Sequence, residues 1–143
     1  MSTLLDTNVL SELLRAQPSP AVSSWIAGQP VEGLFVSAVT QAEMMLGARR
    51  LPQGRRRAAL ERALSAMFAE DFPGRILPFD SRAVAAYVEI VAERRSLGQP
   101  VSQFDAQIAA IARTAGLRLA TRNAVDFERC GISLVDPWAG SVT

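Results

Sequence analysis

Residues 4–14 read LLDTNVLSELL. Leu4 and Leu5 open a short apolar run, Asp6 stops it, and from Val9 onward the apolar residues return at helical spacing. A buried strand running straight into a helix is the unit from which parallel α/β sheets are assembled. The acid at the junction has two readings. Asp6 or Asn8 can cap the helix by accepting its free amides. Alternatively, Asp6 faces a ligand beyond the carboxyl end of the strand, where open α/β sheets bind theirs.

Outward from this stretch the same unit recurs. TLLD (3–6) is a buried strand feeding a helix from Asn8 to Arg15, and the QPSP loop (17–20) precedes a short helix around Val22 to Ala27. LFVSAV (34–39) is a second strand, leading through Thr40 into a helix that runs to about Leu51. After the PQGRRR turn (52–57), Leu60, Leu64, Met67 and Phe68 mark a helix over residues 58–69, broken by Pro73-Gly74. RILPF (75–79) is a third strand, and Ser81 can cap a long helix that Gly98 and Pro100 terminate. QFDAQIAAIARTAG (103–116) is a small-residue helix closed by Gly116, and LRLAT (117–121) and ISLVD (132–136) are the last strands. Strand and helix alternate without a repeat or a composition break. The expectation is one α/β domain over 1–143, with helices on a small, mainly parallel sheet.

Composition narrows the chemistry. The chain has 143 residues, 49% hydrophobic and 20% charged, as in a globular domain rather than a disordered one. No apolar run reaches the roughly 18–20 residues a membrane span needs, and no basic-then-apolar leader is visible. The single Cys130 fits a reducing compartment, so a cytoplasmic location is expected. With no histidine, a Ser-His-Asp triad, imidazole general-base catalysis and the usual zinc sites are excluded. All 15 basic residues are arginines, so Schiff-base chemistry and the P-loop lysine are excluded too. Cys130, lacking a histidine partner, reads as a buried structural thiol. Any catalysis must come from carboxylates. Arg49, Arg50, Arg55, Arg56 and Arg57 form a basic run that suits either a solvated surface or phosphate recognition.

Four acidic stretches fall at the same end of the inferred sheet: Asp6 after the first strand, Glu43 in the first turn after the second, Asp105 near the start of the small-residue helix, and Asn123 with Asp126 after the fourth strand. Each has a structural explanation alone. Thr40-x-x-Glu43 has capping-box spacing, Ser102-x-x-Asp105 approximates it, and Asn123 or Asp126 can serve a turn. Together, flanked by Leu5, Met44, Phe104 and Phe127, they would repel one another unless a cation neutralised them. An all-oxygen donor set selects Mg²⁺, with Mn²⁺ possible, and such ions activate water at phosphodiesters.

These stretches carry a resemblance. LLDTNVLSELL, SAVTQAEMMLG (37–47), GRILPFD (74–80), SQFDAQIAAIA (102–112), LATRNAVDF (119–127) and LVDPW (134–138) together resemble the PIN domain, and more narrowly the VapC-type toxins of toxin–antitoxin pairs, including the FitB-like branch. The resemblance runs from about residue 4 to 138. It implies a PIN-like α/β/α sandwich and a metal-dependent endoribonuclease that cuts RNA by metal-activated water. A VapB- or FitA-like antitoxin would silence it. It further implies that Asp6, Glu43 and Asp105 match the family's metal-coordinating catalytic acids, with Asp6 and Asp105 the most direct. The fourth place falls to Asn123 or Asp126; Asp126 is favoured as the acid, with Asn123 holding water or substrate. Thr7 and Asn8 would orient the carboxylates, Arg122 would contact phosphate or stand as a solvated surface residue, and Asp80 would cap the next helix. A homodimer is expected from the family, with Leu13, Leu14, Trp25, Met44 and Met45 available for a contact or for the core.

Two other classes share part of this pattern. Receiver domains and haloacid-dehalogenase-like phosphatases open similarly but usually need a lysine, which this chain lacks. A non-catalytic PIN-like domain that only binds RNA or protein would have lost an acid, so the ambiguity between Asn123 and Asp126 bears on it.

Overall fold

The strands are buried on both faces, and successive side chains alternate between two layers of core. Leu4, Leu119 and Leu134 belong to one apolar cluster, while their chain neighbours Leu5, Ala120 and Val135 belong to another. That is the period-2 geometry of a sheet covered on both faces. The computed structural model describes residues 1–139 and the backbone of Ser141–Val142. The strands are β1 (Thr3–Leu5), β2 (Leu34–Ser37), β3 (Ile76–Leu77), β4 (Arg118–Ala120), β5 (Leu134–Asp136) and β6 (Ser141–Val142). They form one sheet in the order β3-β2-β1-β4-β5-β6. The first five are parallel and β6 runs antiparallel to β5.

The helices are α1 (Thr7–Leu13), α2 (Pro20–Ala27), α3 (Ala38–Arg49), α4 (Arg55–Ala66), α5 (Val84–Ser96) and α6 (Gln103–Ala115). On one face, α5 and α6 contribute Ile90, Ile108, Ala109 and Ile111 to the cluster around Leu4. On the other, α1, α2 and α4 contribute Val9, Leu10, Val22 and Leu64 to the cluster around Leu5. Helix α3 spans both, with Val39 in the first and Met44 and Ala48 in the second. The result is the expected α/β/α sandwich on a mainly parallel sheet.

Several local readings shift. Helix α3 starts at Ala38, not beyond Thr40, because Ser37 is the cap and accepts from the Thr40 amide at 3.0 Å. The Thr40–Glu43 capping box therefore does not form, and Glu43 lies in the second turn with its carboxylate free for another partner. The helix over 58–69 begins at Arg55 and ends in a wider π turn, Met67–Asp71, which buries Met67 and Phe68. Strand β6 was not foreseen: two residues at a sheet edge carry no readable period. Met44 is core, Leu13 and Trp25 pack against it, and Leu14 and Met45 stay exposed. Asp80, and not Ser81, caps the 3₁₀ turn leading into α5, by accepting from the Arg82 amide. Gly116 ends α6 at φ +69°, a left-handed turn that only glycine adopts without strain. Cys130 is buried, and that burial pushes its thiol up and leaves it a poor nucleophile. No helix among the described residues is long and apolar enough to cross a membrane.

Candidate active site

From β1 the chain adds β2 and β3 on one side, then crosses to add β4 and β5 on the other. At such a switch point the connections leave in opposite directions and open a crevice at the carboxyl ends of the two central strands. Asp6 follows β1 and Thr121 follows β4, side by side at the floor of that crevice. The Asp6 amide donates to the Ala120 carbonyl at 2.9 Å, extending the β1–β4 ladder to the edge of the site.

Asp6 fills both roles its position allowed. It caps α1, one carboxylate oxygen accepting from the Thr7 amide at 2.8 Å, while the other accepts from the Thr121 hydroxyl at 2.8 Å. It is only 5% exposed. Thr7 donates its hydroxyl to Glu43 Oε1 at 2.9 Å and lies 3.0 Å from the Thr40 hydroxyl, so α1 and α3 are joined beside Asp6. Asn8 spans the other way, donating to Thr121 Oγ1 and accepting from the Arg122 amide, both at 3.4 Å. Asp105 is the third residue of α6, its amide donating to the capping Ser102 hydroxyl at 3.2 Å, and its side chain is half-buried.

A cleft of about 540 Å³ brings Asp6, Thr7, Asn8, Glu43, Asp105, Arg122 and Asn123 together. Asp126 does not line it. It is exposed on the 3₁₀ turn Ala124–Phe127, which the buried Phe127 anchors. Its charge still reaches Asp105. Arg122 is exposed, with its guanidinium 4.9 Å over the Trp138 ring.

The electrostatics of the cleft disfavour charge on its own carboxylates. Burial raises Asp6 from 3.8 to about 6, with the charges of Asp105 and Glu43 adding and the Thr121 and Thr7 hydrogen bonds opposing. Asp105 is raised as well, chiefly by burial and further by Asp126, against the pull of Ser102 and Arg94. A cation among these groups would reverse each unfavourable contribution. Among the described residues, no group of three or more acid or cysteine side chains is set to hold a metal ion by itself. The acids are spread around the cleft, an arrangement that suits Mg²⁺, which keeps several of its waters and takes only one or two carboxylates directly.

Sequence reasoning missed several contributors. Glu12 lines the same cleft one helical turn beyond Asn8, a relation the i, i+4 spacing signalled. It is buried and held below the usual carboxylate range, first by the Ser19 amide (2.9 Å) and then by Arg15. It therefore ties the α1–α2 loop in place. From sequence Thr121 is only the end of the LRLAT strand, yet its hydroxyl is the Asp6 partner. In the basic run, Arg49 and Arg57 both pair with Glu61, so part of that charge is neutralised locally.

Arg94, also unremarked, is buried on the last turn of α5 and pairs with no acid among the described residues. Its guanidinium donates to the carbonyls of Gln99 (2.6 Å), Glu128 (2.7 Å) and Val125 (3.4 Å). It thus fastens the approach to α6 against the turn carrying Asp126. Arg94→Met is expected to lower stability by about 2–4 kcal/mol, since those carbonyls lose their donor inside the protein. Urea unfolding checks this, and a change under about 0.5 kcal/mol, the range of surface substitutions, would refute the role assigned to Arg94.

The comparisons with known proteins agree with this architecture. The PIN domain pattern matches residues 3–132, a span that contains Asp6, Glu43, Asp105, Asn123 and Asp126. The chain is 38% identical to the VapC ribonuclease Y4jK of Sinorhizobium fredii over 94% of its own length and 96% of that protein's. It is 37% identical to the toxin FitB of Neisseria gonorrhoeae, over 94% and 97% of the two chains. The crystal structure of FitAcB from the same organism superposes with a TM-score of 0.89, covering 95% of this chain and 98% of that one. A strand order that puts buried Asp6 at a switch-point cleft, and a match spanning nearly the whole chain, lead to one conclusion: this chain belongs to the PIN-domain family, among the relatives of the VapC and FitB toxins.

Proposed function

We propose that this protein is a divalent-metal-dependent endoribonuclease acting as the toxin of a toxin–antitoxin pair. The observation that carries the reading is the cleft itself. Buried Asp6 and half-buried Asp105 share it with Glu43, and both aspartates are disfavoured as anions until a cation joins them. Asp6 and Asp105 would hold Mg²⁺, or Mn²⁺ in its place, directly, with Glu43 and Asp126 acting on it through its waters. When bound, the ion supplies the activation of water and the neutralisation of phosphate charge that no side chain here provides. Asp6 is fixed for this by Thr121 and the Thr7 amide, and Glu43 by the Thr7 hydroxyl. Asn8 links α1 to the Arg122 amide, holding the loop whose Asn123 faces the substrate side of the cleft. Arg122, stacked on Trp138, presents a fixed cation to a phosphate.

The names of the relatives support ribonuclease and toxin roles, and a toxin of this kind needs a cognate VapB- or FitA-like antitoxin to hold it silent in the cytoplasm. Purified protein is expected to cut RNA in Mg²⁺ or Mn²⁺ and to stop in EDTA. Equal cutting in EDTA would sink the reading. The fourth position has its own test. Asp126→Asn is expected to lower activity by about 10–100-fold, as the loss of a group acting through water does. Asn123→Asp, which adds an acid to the cleft lining, is expected to tighten Mn²⁺ binding. Loss from Asp126→Asn as complete as from Asp6→Asn would instead make Asp126 a direct ligand.

A further inference from the structure

The acidic cleft does not end at the acids. It shares Thr7, Ser11, Arg15 and Glu43 with a second groove, which continues past Met44 and Leu60 to Arg56 at the start of α4. The two form one continuous channel with Arg122 at one end, the acids and Arg15 along it, and Arg56 at the other.

Two of the three cations in this channel form no ion pair among the described residues, and the third, Arg15, stays largely exposed beside Glu12. Within the basic run, Arg49 and Arg57 are neutralised by Glu61, whereas Arg56 forms no ion pair among the described residues and lines the channel. Arg122 likewise forms no ion pair there, and its guanidinium rests on Trp138. Trp138 also packs against the apolar cluster around Leu5, so the ring supports the arginine and is not a free platform for a base. Arg15 is paired with Glu12 only at 3.3 Å and remains 67% exposed. Three separated cations along a channel, with an acid cluster suited to a metal between them, match an extended polyanion whose charges repeat. The phosphodiester backbone of a single RNA strand has that form. A strand is also what the depth requires, because a phosphate must descend into the cleft to approach Asp6.

We propose that Arg122, Arg15 and Arg56 form a phosphate track that carries a single RNA strand across the acidic cleft. This rests on the ribonuclease reading and adds where the substrate lies. The track binds backbone and not bases, so it sets affinity and salt dependence without setting sequence.

The test is the salt dependence of binding, measured by anisotropy with a fluorescein-labelled single-stranded RNA in EDTA so that cleavage does not interfere. Arg15→Gln, Arg56→Gln and Arg122→Gln are each expected to reduce the slope of log affinity against log salt by about 0.7, and the triple variant by about 2. Arg95→Gln, an exposed arginine on α5 outside the channel, is expected to leave the slope unchanged. Unchanged slopes in the three channel variants, or no RNA binding by the unaltered protein, would overturn the track. So would an equal loss in Arg95→Gln, which marks a diffuse attraction, or tight binding of an acidic peptide that RNA fails to displace. Unaltered protein that binds with the expected slopes but cuts no RNA in Mg²⁺ supports the track and refutes only the nuclease reading.

Discussion

Asp6→Asn and Asp105→Asn should each lower metal-dependent RNA cleavage by roughly three orders of magnitude while leaving the protein folded. The chemistry depends on the negative charge, and amide and carboxylate have nearly the same shape, so the fold has little to register. At Asp6 the amide oxygen still accepts from the Thr7 amide. The contact to Thr121 must adjust, because that hydroxyl already accepts from Asn8 and the Asn123 amide; the long 3.4 Å contact from Asn8 is the one that can give way to the new side-chain amide. At Asp105 the helix keeps its Ser102 cap, because the Asp105 backbone amide still donates to the Ser102 hydroxyl. Cleavage assays and circular dichroism on the same preparations check both halves. Full activity in either variant would remove that residue from the site.

The second large effect is on stability, and its sign differs between metal-free and metal-loaded protein. In the folded metal-free state Asp6 titrates at about 6, against 3.8 for an ordinary aspartate. Below pH 3.8 both folded and unfolded chains hold the proton and Asp6 imposes no cost. As pH rises from there to about 6, the unfolded chain releases its proton first, so stability falls. Above that range the whole loss is present, roughly 3 kcal/mol for a group this deeply buried. Asp6→Asn removes the loss, so the metal-free variant should be about 1–3 kcal/mol more stable than the parent at pH 7–8. Mg²⁺ should raise the melting temperature of the parent and leave that of Asp6→Asn nearly unchanged. Thermal unfolding across pH, with and without Mg²⁺, tests this. A less stable Asp6→Asn variant would show that the carboxylate is structural.

The fold was legible because the strands are buried on both faces and the helices are punctuated. Leu4-Leu5, Phe35-Val36 and Leu119-Ala120 are short apolar runs bounded by polar or breaking residues, and Ser102 and Gly116 mark both ends of α6. What escaped is where local chemistry has two solutions. Ser37 and Thr40 both offer a hydroxyl near the start of α3, and only the end of β2 decides that Ser37 is the cap. That choice releases Glu43 toward Thr7. Asp6, Glu43 and Asp105 could be found from sequence because each stands where an element begins or ends. Thr121, Arg94 and Trp138 could not, since their importance lies in partners remote in the sequence: Asp6 for Thr121, the Val125 and Glu128 carbonyls for Arg94, and the Arg122 guanidinium over the Trp138 ring. The pair Asn123 and Asp126 divided for a similar reason, because the 3₁₀ turn anchored by Phe127 puts one at the cleft and the other outside it.

The central claim is that Asp6 and Asp105 join in holding one divalent cation site. Calorimetric titration of metal-free protein with Mn²⁺ near pH 6, in buffers of different ionisation enthalpy, tests it most directly. The account predicts saturable binding accompanied by proton release, because Asp6 is partly protonated at that pH and must ionise to ligate. It also predicts that binding is lost in Asp6→Asn and in Asp105→Asn. Binding of unaltered strength in both variants, with no proton released, would contradict it.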